Sequence, residues 1–497
     1  MVTERIRYAP LRSRIITPEQ AAERIRDGMV VGLSGFTRSG DAKIVPMALV
    51  EKVKREQQKL KIDVYTGASL GEVDGLMAEA GIIRKRLPFQ ADRTMRDKIN
   101  CGKMLFIDQH LSSVGDLLRS GAMPDVDVAI VEAVAITEEG YIVPSTSVGN
   151  NPIFTARAKE VIVELNTAQP LELEGIHDIF ILDEQIARGP VPLMDPRQRI
   201  GIPAIPVDPD KITGIVVSDI VDTPSSVEEP DEDTRLMAEQ LIHFLRGEVR
   251  SGRLPEQLMP IQAGVGSTAN AVLYGFLDSE FTDLVMYSEV LQDAVFDLID
   301  AGKVRFASAS SVTLSKKYMD KLHRNIEAYK KKIILRPQEI SNHPELIRRL
   351  GLIAINAAVE VDIYGNVNST HVLGTHMING IGGSADFARN ARLTVFVTKS
   401  VAKGGRISTV VPFVTHVDHS EHAVDVIVTE QGIADVRGLA PVERAQLIID
   451  HCSHPDYREE LRAYFEEALK RGGHTPHVLE KAFSFHERYA SNGTMKP

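Results

Sequence analysis

Gly264-Val265-Gly266-Ser267-Thr268-Ala269-Asn270, followed by Met286-Tyr287-Ser288-Glu289, is the stretch whose reading decides the fold. Residues 258–263 upstream read as a short buried strand and residues 269–277 downstream as a helix, so a glycine turn joins a strand end to a helix start. Backbone N–H groups at such a turn lack ladder partners and suit an anion or a developing oxyanion. Residues 283–288 read as the next parallel strand, which ends on Glu289. Two chemistries fit. In a dinucleotide fold, a Gly-x-Gly-x-x-Gly/Ala turn holds a pyrophosphate and an acid about 20 residues later binds a ribose hydroxyl. Gly264, Gly266, Ala269 and Glu289 satisfy that pattern. In an acyl-transfer site, the amides would stabilise a thioester oxyanion and Glu289 would be the nucleophile. A purely structural turn is the third reading, and this stretch alone leaves the three level.

The chain has 497 residues, too many for one ordinary core, which implies two α/β domains. Apolar content of 43% with 25% charged residues is that of a soluble globular enzyme. A net charge of −11 argues against nucleic acid or an acidic membrane as partner, but leaves room for a local basic pocket. Cys101 and Cys452 lie far apart with no Cys-x-x-Cys spacing, so neither a disulfide scaffold nor a zinc knuckle is expected, and a reduced cytoplasm is. Residues 1–18 carry four arginines and no apolar run, unlike a secretory signal. No run of about 18 apolar residues offers a membrane span.

Outward from the glycine turn, strand and helix alternate through both halves. Strands are predicted at 29–35, 61–65, 104–108, 126–134, 159–164, 179–182 and 215–218, with near-continuous apolar runs that suit a parallel sheet covered on both faces. Thr17-Pro18-Glu19-Gln20 reads as a capped helix start. Gly35-Phe36-Thr37-Arg38-Ser39-Gly40-Asp41 and Thr66-Gly67-Ala68-Ser69-Leu70-Gly71 stand at strand ends, where ligand loops of such sheets lie. Glu132, inside an apolar strand, reads as a paired structural acid at the sheet edge. Residues 219–233, with two prolines and seven acids, read as an exposed linker dividing domains 1–225 and 226–497.

In the second half, a helix at 290–301 would hold Glu289 near its amino end. Residues 352–362, 393–397 and 424–428 read as strands, and Asn342 as a helix cap. The glycines of 374–383 would let backbone amides face a substrate. Lys403-Gly404-Gly405-Arg406 is either an anion clamp or a solvent hairpin. Thr415-His416-Val417-Asp418-His419-Ser420-Glu421-His422 invites a metal reading. Its spacing departs from His-Glu-x-x-His, so a hydrogen-bonded polar loop is expected and no metal.

Gly264-Val265-Gly266, Tyr287-Ser288-Glu289-Val290-Leu291-Gln292, Arg336-Pro337-Gln338-Glu339-Ile340-Ser341-Asn342, Gly380-Ile381-Gly382-Gly383-Ser384 and Thr429-Glu430-Gln431-Gly432-Ile433-Ala434-Asp435 together resemble the class I coenzyme A transferases. The likeness is to the acetyl-CoA hydrolase/transferase branch, which contains succinyl-CoA:acetate and propionyl-CoA:succinate CoA-transferases, and it covers nearly the whole chain. It tips the balance against the dinucleotide reading.

The resemblance implies two open parallel-sheet α/β/α domains with the active site between them. It also implies that Glu289 attacks an acyl-CoA thioester to form an acyl-glutamyl anhydride, then a glutamyl-CoA thioester. By the same resemblance, the amides of Val265 and Gly383 form oxyanion holes, and Gly264, Val265, Gly266, Ser267, Thr268 and Lys403 contact CoA. Asn342 and Glu430 position nucleophile and substrate carboxylate, and Ser69 approaches the small acid. The family often has Gly-Gly-Ser-Gly-Asp-Phe where this chain has Ala385 at the fourth position, which asks an alanine to take that turn.

The expectation is an acyl-CoA:carboxylate CoA-transferase, succinyl-CoA and acetate being the favoured pair. It would have acyl-CoA and a small carboxylate as partners, no tightly bound cofactor, and a homodimeric, cytoplasmic form. The rivals are acetyl-CoA hydrolase or propionyl-CoA:succinate transferase activity, an NAD-binding oxidoreductase, and an inactive CoA-binding regulator.

Overall fold

A computed structural model describes residues 2–184, 188–226 and 230–497. The chain forms two compact units: Met1–Ser226 with Met286–Phe296 and Arg305–Leu350, and Val227–Val285 with Asp297–Val304 and Gly351–Pro497. Both are α/β and built on parallel strands.

The sheet of the first unit runs Leu105–Phe106, Ile83–Leu87, Ile62–Tyr65, Val30–Leu33, Val128–Ile136, Glu160–Asn166 and Ile212–Ser218, these seven parallel, with Ile142–Pro144 added antiparallel to Val128–Ile136. Chain order runs outward from Val30–Leu33 to one edge, then resumes on its other side with Val128–Ile136. That reversal is a topological switch point, and the loops after its two strands are where open α/β sheets bind ligands. Strand alternation divides the core. Val31 and Leu33 pack in a cluster with Val45, Leu49, Val73 and Met77 from helices Ile44–Glu56 and Glu72–Glu79. Gly32 faces the other way, where the Phe154 ring of helix Asn151–Arg157 lies so close that an added Cβ would stand 3.0 Å from it. The first helix starts as its residues suggest, with Thr17 and Gln20 exchanging cap hydrogen bonds at 3.2 and 3.0 Å.

In the second unit, Ile261–Ala263, Ile353–Ala357, Leu393–Val397 and Val426–Thr429 pair in parallel, and Gly432–Asp435 closes the edge antiparallel. Its core gathers Phe396, Ile427, Ile448, Tyr457 and Phe485.

Several elements differ from expectation. Residues 179–182 form no strand; Ile179 instead makes an isolated antiparallel bridge to Ile202. The adjacent Asp178 carboxylate is claimed by the amides of Ile200 and Gly201 and by Arg336. Residues 352–362 divide into Ile353–Ala357 and Glu360–Asp362, the latter in a separate three-stranded sheet with Val367–Asn368 and Val410–Val411. The helix expected from 290 starts at Asp293, because Val290–Leu291 instead pairs in parallel with Ser311–Val312. Glu289 therefore does not stand at a helix amino end. In the acidic segment, residues 227–229 lie outside the described residues, and the remainder is not uniformly exposed: Asp222 is buried.

Candidate active site

Strand Leu284–Tyr287 leads into Ser288 and Glu289. The Ser288 amide donates to Ser308 O at 2.9 Å, and Glu289 O accepts from the amides of Ser310 and Ser311 at 2.9 and 3.2 Å. The Glu289 backbone is thus fixed on both sides of its Cα, and the residue is 7% exposed. Asn342, fully buried, donates from Nδ2 to Glu289 Oε2 at 3.0 Å. It ends the short helix Gln338–Ser341 and directs its side-chain amide to the acid.

Beside this pair, Phe36, Ala68, Leu111 and Val290 form a small buried apolar cluster with Phe89 packed on it. Two strand-end loops singled out in the sequence supply it. Ser311 Oγ donates to Phe36 O at 3.0 Å and Thr313 Oγ1 to Thr37 O at 2.9 Å, tying the 35–41 loop to the segment paired with Val290. The Arg38 amide donates to Ser69 O at 3.0 Å, which joins the two loops. Thr37 and Arg38 both hold left-handed backbone, at φ 52° and 70°. Such conformations cost side-chain-bearing residues about 1 kcal/mol or more each and persist only where surrounding contacts impose them. Ser69 itself is buried, next to Ala68 of the apolar cluster.

Beneath the 35–41 loop lies a buried charge cluster. Lys43 Nζ meets Glu132 Oε2 at 2.6 Å, Asp222 Oδ1 at 2.9 Å and Asp41 Oδ1 at 3.3 Å. Burial opposes the ammonium charge, yet the three carboxylates hold its pKa well above the ordinary lysine value. Burial pushes Glu132 up to about 8 against the pull of Lys43. Asp222 Oδ1 also accepts the Gly40 amide at 3.1 Å, so the cluster anchors the loop. Glu132 is a paired acid as expected, but its strand lies inside the sheet, between Val30–Leu33 and Glu160–Asn166, and not at the edge. Lys43 and Asp222 were not singled out, since a lysine after a turn and an aspartate in a polar stretch carry no local signal of burial.

In the second unit, the glycine turn follows strand Ile261–Ala263 and precedes helix Ser267–Tyr274. The Gly264 amide continues the ladder, donating to Ile355 O at 2.8 Å, so it is not a donor for a ligand. Among the described residues, the Val265 and Gly383 amides donate to no other group of the chain. Gly266 takes φ 130°, a conformation that favours glycine, and begins the helix that contains Ser267 and Thr268. Gly383 caps helix Ser384–Ala388. Ala385 sits inside that helix and not at a left-handed position, so alanine there is unstrained.

Glu430 follows strand Val426–Thr429, and its carboxylate accepts from the Ser400 amide at 2.8 Å, from Ser400 Oγ and from Gln431 Nε2 at 3.0 Å. Burial raises its pKa, but these donors outweigh it and the net shift is downward. Lys403 is exposed at φ 51° in an antiparallel hairpin of Val401–Ala402 with Ile407–Ser408. The histidine-rich segment is a hydrogen-bonded loop. Asp418 accepts from the Ser369 amide at 2.6 Å and from Thr370 Oγ1 at 2.8 Å, and His419 Nε2 lies 3.2 Å from Ser384 Oγ. Among the described residues no group of three or more His, Cys, Asp or Glu side chains could hold a metal ion.

Gly264, Ser400 and Glu430 all follow parallel strands, at the carboxyl edge of that sheet. A cavity of about 230 Å³ at the amino edge is lined by Glu248, Arg253, Arg392 and Arg437. Glu248 pairs there with Arg253 at 2.6 Å and Arg437 at 2.9 Å.

Residues 1–217 match the acetyl-CoA hydrolase/transferase N-terminal domain and residues 319–465 its C-terminal domain. The chain is 50% identical to a succinyl-CoA:acetate CoA-transferase of Clostridium kluyveri, covering 100% of this chain and 93% of that protein. This chain belongs to the acetyl-CoA hydrolase/transferase family. Another relative, an acetyl-CoA hydrolase of Schizosaccharomyces pombe, is 44% identical over 100% of this chain and 99% of its own. The crystal structure of RipA from Yersinia pestis shares the fold at TM-score 0.71 and 20% identity, covering 93% of this chain and 98% of that one. As a member of this family of CoA-transferases and acetyl-CoA hydrolases, the chain is an enzyme. No helix among the described residues is long and apolar enough to cross a membrane.

Proposed function

We propose that this enzyme transfers CoA from an acyl-CoA to a small carboxylate, succinyl-CoA and acetate being the preferred pair. Glu289 attacks the thioester carbonyl; the C–S bond breaks, giving an acyl-glutamyl anhydride and CoA thiolate. The thiolate then attacks the Glu289 carbonyl, expels the acyl group as its carboxylate and leaves a glutamyl-CoA thioester. The incoming carboxylate runs the same two steps in reverse. No step requires a net proton transfer, and one thioester replaces another, so the exchange is near energy-neutral and draws on neither ATP nor a metal.

Asn342 holds one oxygen of Glu289, and the amides of Val265 and Gly383 stabilise the oxyanions. Gly264, Val265, Gly266, Ser267, Thr268 and Lys403 form the CoA-binding surface, Glu430 with Asn342 positions the nucleophile and the substrate carboxylate, and Ser69 approaches the small acid. Residues 1–225 and 226–497 are assigned as N- and C-terminal CoA-transferase domains, in a cytoplasmic homodimer. The observation that carries the reading is the 3.0 Å hydrogen bond from Asn342 to the carboxylate of a buried glutamate whose backbone is held at the Ser288 amide and at its own carbonyl. The unpartnered amides of Val265 and Gly383 support it.

Incubation with acyl-CoA alone, followed by intact-mass measurement and peptide mapping, tests it. A CoA-sized adduct on Glu289 is expected; turnover without any adduct would refute the nucleophile. The hydrolase named among the relatives favours a second reading, in which water takes the glutamyl-CoA adduct. Equal acyl-CoA loss with and without added acetate would select it.

A further inference from the structure

Asn342 acts on Glu289 only if its amide presents nitrogen and not oxygen to the acid. A carboxylate only accepts hydrogen bonds, so Nδ2 must face Glu289 Oε2, and Oδ1 must find a donor on the other side. Rotating the amide by half a turn would set oxygen against oxygen. Ser341 supplies a donor that opposes this. Its Oγ lies 3.0 Å from Asn342 Oδ1, and the alternative acceptor, Gln338 O, is farther at 3.3 Å. A hydroxyl has one proton, and the shorter contact takes it.

We infer that Ser341 is a positioning residue for the proposed reaction: its hydroxyl locks the Asn342 amide so that Nδ2 addresses Glu289. This rests on Glu289 being the nucleophile. The turn that carries Ser341 is braced so that the lock has a fixed base. Tyr287 OH, two residues before the acid, donates to Ile340 O at 2.6 Å. Gln338 donates from Nε2 to Leu111 O at 3.0 Å and from its amide to Gly149 O at 2.9 Å. Glu339 is ion-paired with Arg119 at 2.7 Å. The hydroxyl is buried with the rest of the Ser341 side chain, so water does not replace it as a donor.

A double-mutant cycle on the full enzyme tests the lock. Ser341→Ala is expected to lower kcat by about 10- to 100-fold, with the acyl-CoA KM within about threefold of the parent, the size of one misdirected charge-assisted hydrogen bond. In an Asn342→Ala background the same change is expected to cost nothing further, because the group through which Ser341 acts is gone. Ser341→Cys, which keeps a weaker donor of similar size, should recover part of kcat and serves if the alanine variant does not fold. Losses that multiply in the double variant, or a Ser341→Cys enzyme no better than Ser341→Ala, would overturn the inference. The parent's acyl-CoA adduct, mapped in parallel, separates the two failures: no adduct removes Glu289 as nucleophile, whereas an adduct with multiplying losses removes Ser341 alone.

Discussion

His419 gives its Nε2 hydrogen to the hydroxyl of Ser384 across 3.2 Å. The direction is fixed by the other contact of that hydroxyl, which spends its one proton on Ile381 O at 2.8 Å. Ser384 is the residue after Gly383, and Gly382 before it holds φ 59°. The imidazole therefore closes the turn whose amide is proposed to face an oxyanion. Replacement by leucine removes the donor, and kcat is expected to fall about tenfold or more with thermal stability lowered by about 1–3 kcal/mol. His419→Gln, which can place an amide N–H at the same point, should retain most of kcat. Steady-state kinetics with a melting control decide this, and equal loss in both variants would sink the positioning role.

The glycines at 264 and 266 should fail for different reasons. A Cβ at Gly264 would stand 2.9 Å from Asn356 Oδ1, whose amide exchanges hydrogen bonds with Gln262 at 3.2 and 3.1 Å. Gly264→Ala must push that buried amide pair apart, so lower stability and a raised acyl-CoA KM are expected together. At Gly266 nothing lies within 4 Å of an added Cβ, and the obstacle is φ 130° alone. Gly266→Ala should cost about 1–3 kcal/mol through the backbone. Melting curves and KM of both variants check the pair; a Gly266→Ala protein as stable as its parent would contradict the assigned conformation.

Acid sensitivity should trace in part to His177. Burial holds its pKa down to about 4, while Nε2 donates to Ser145 O at 2.8 Å. The unfolded chain takes up a proton near pH 6.5 that the folded one refuses until about pH 4. The stability contributed by the neutral ring is thus complete above pH 6.5 and lost as pH falls from there toward 4, to the extent of about 3 kcal/mol. His177→Gln keeps a donor for Ser145 and removes the titration. Its denaturant midpoint should therefore fall less steeply than the parent's between pH 6.5 and 4.5, and parallel curves would refute the assignment.

The sequence made the glycine turn, Glu289 and the alternation of strands readable, because strand ends, glycine pairs and apolar runs are local signals. Ile261–Ala263, Leu284–Tyr287 and Leu393–Val397 all fall within predicted strands. Asn342 was legible only through its motif. Its partner lies 53 residues away, and by local pattern it looked like a helix cap. The split of Ile353–Ala357 from Glu360–Asp362 was hidden because no glycine or proline separates the two pieces, and the break is set by strands that arrive later in the chain. Ser341 and Lys43 illustrate a further limit. Their importance depends on which single atom lies 3 Å away, and spacing along the chain does not encode that.

The contacts around Lys43 also bear on the order in which the protein can be made. Its carboxylate partners come from residues 41, 132 and 222, and the loop above it is tied further to Ser311 and Thr313. On a ribosome, Asp222 is added 222 − 43 = 179 residues after Lys43, on the order of 10–40 s at ordinary synthesis rates. Until then a buried ammonium would lack one of its three carboxylates, a cost that opposes its burial. The apolar strands nearest the amino terminus can pair early, but the loop beside the proposed nucleophile must wait for chain that is still being made.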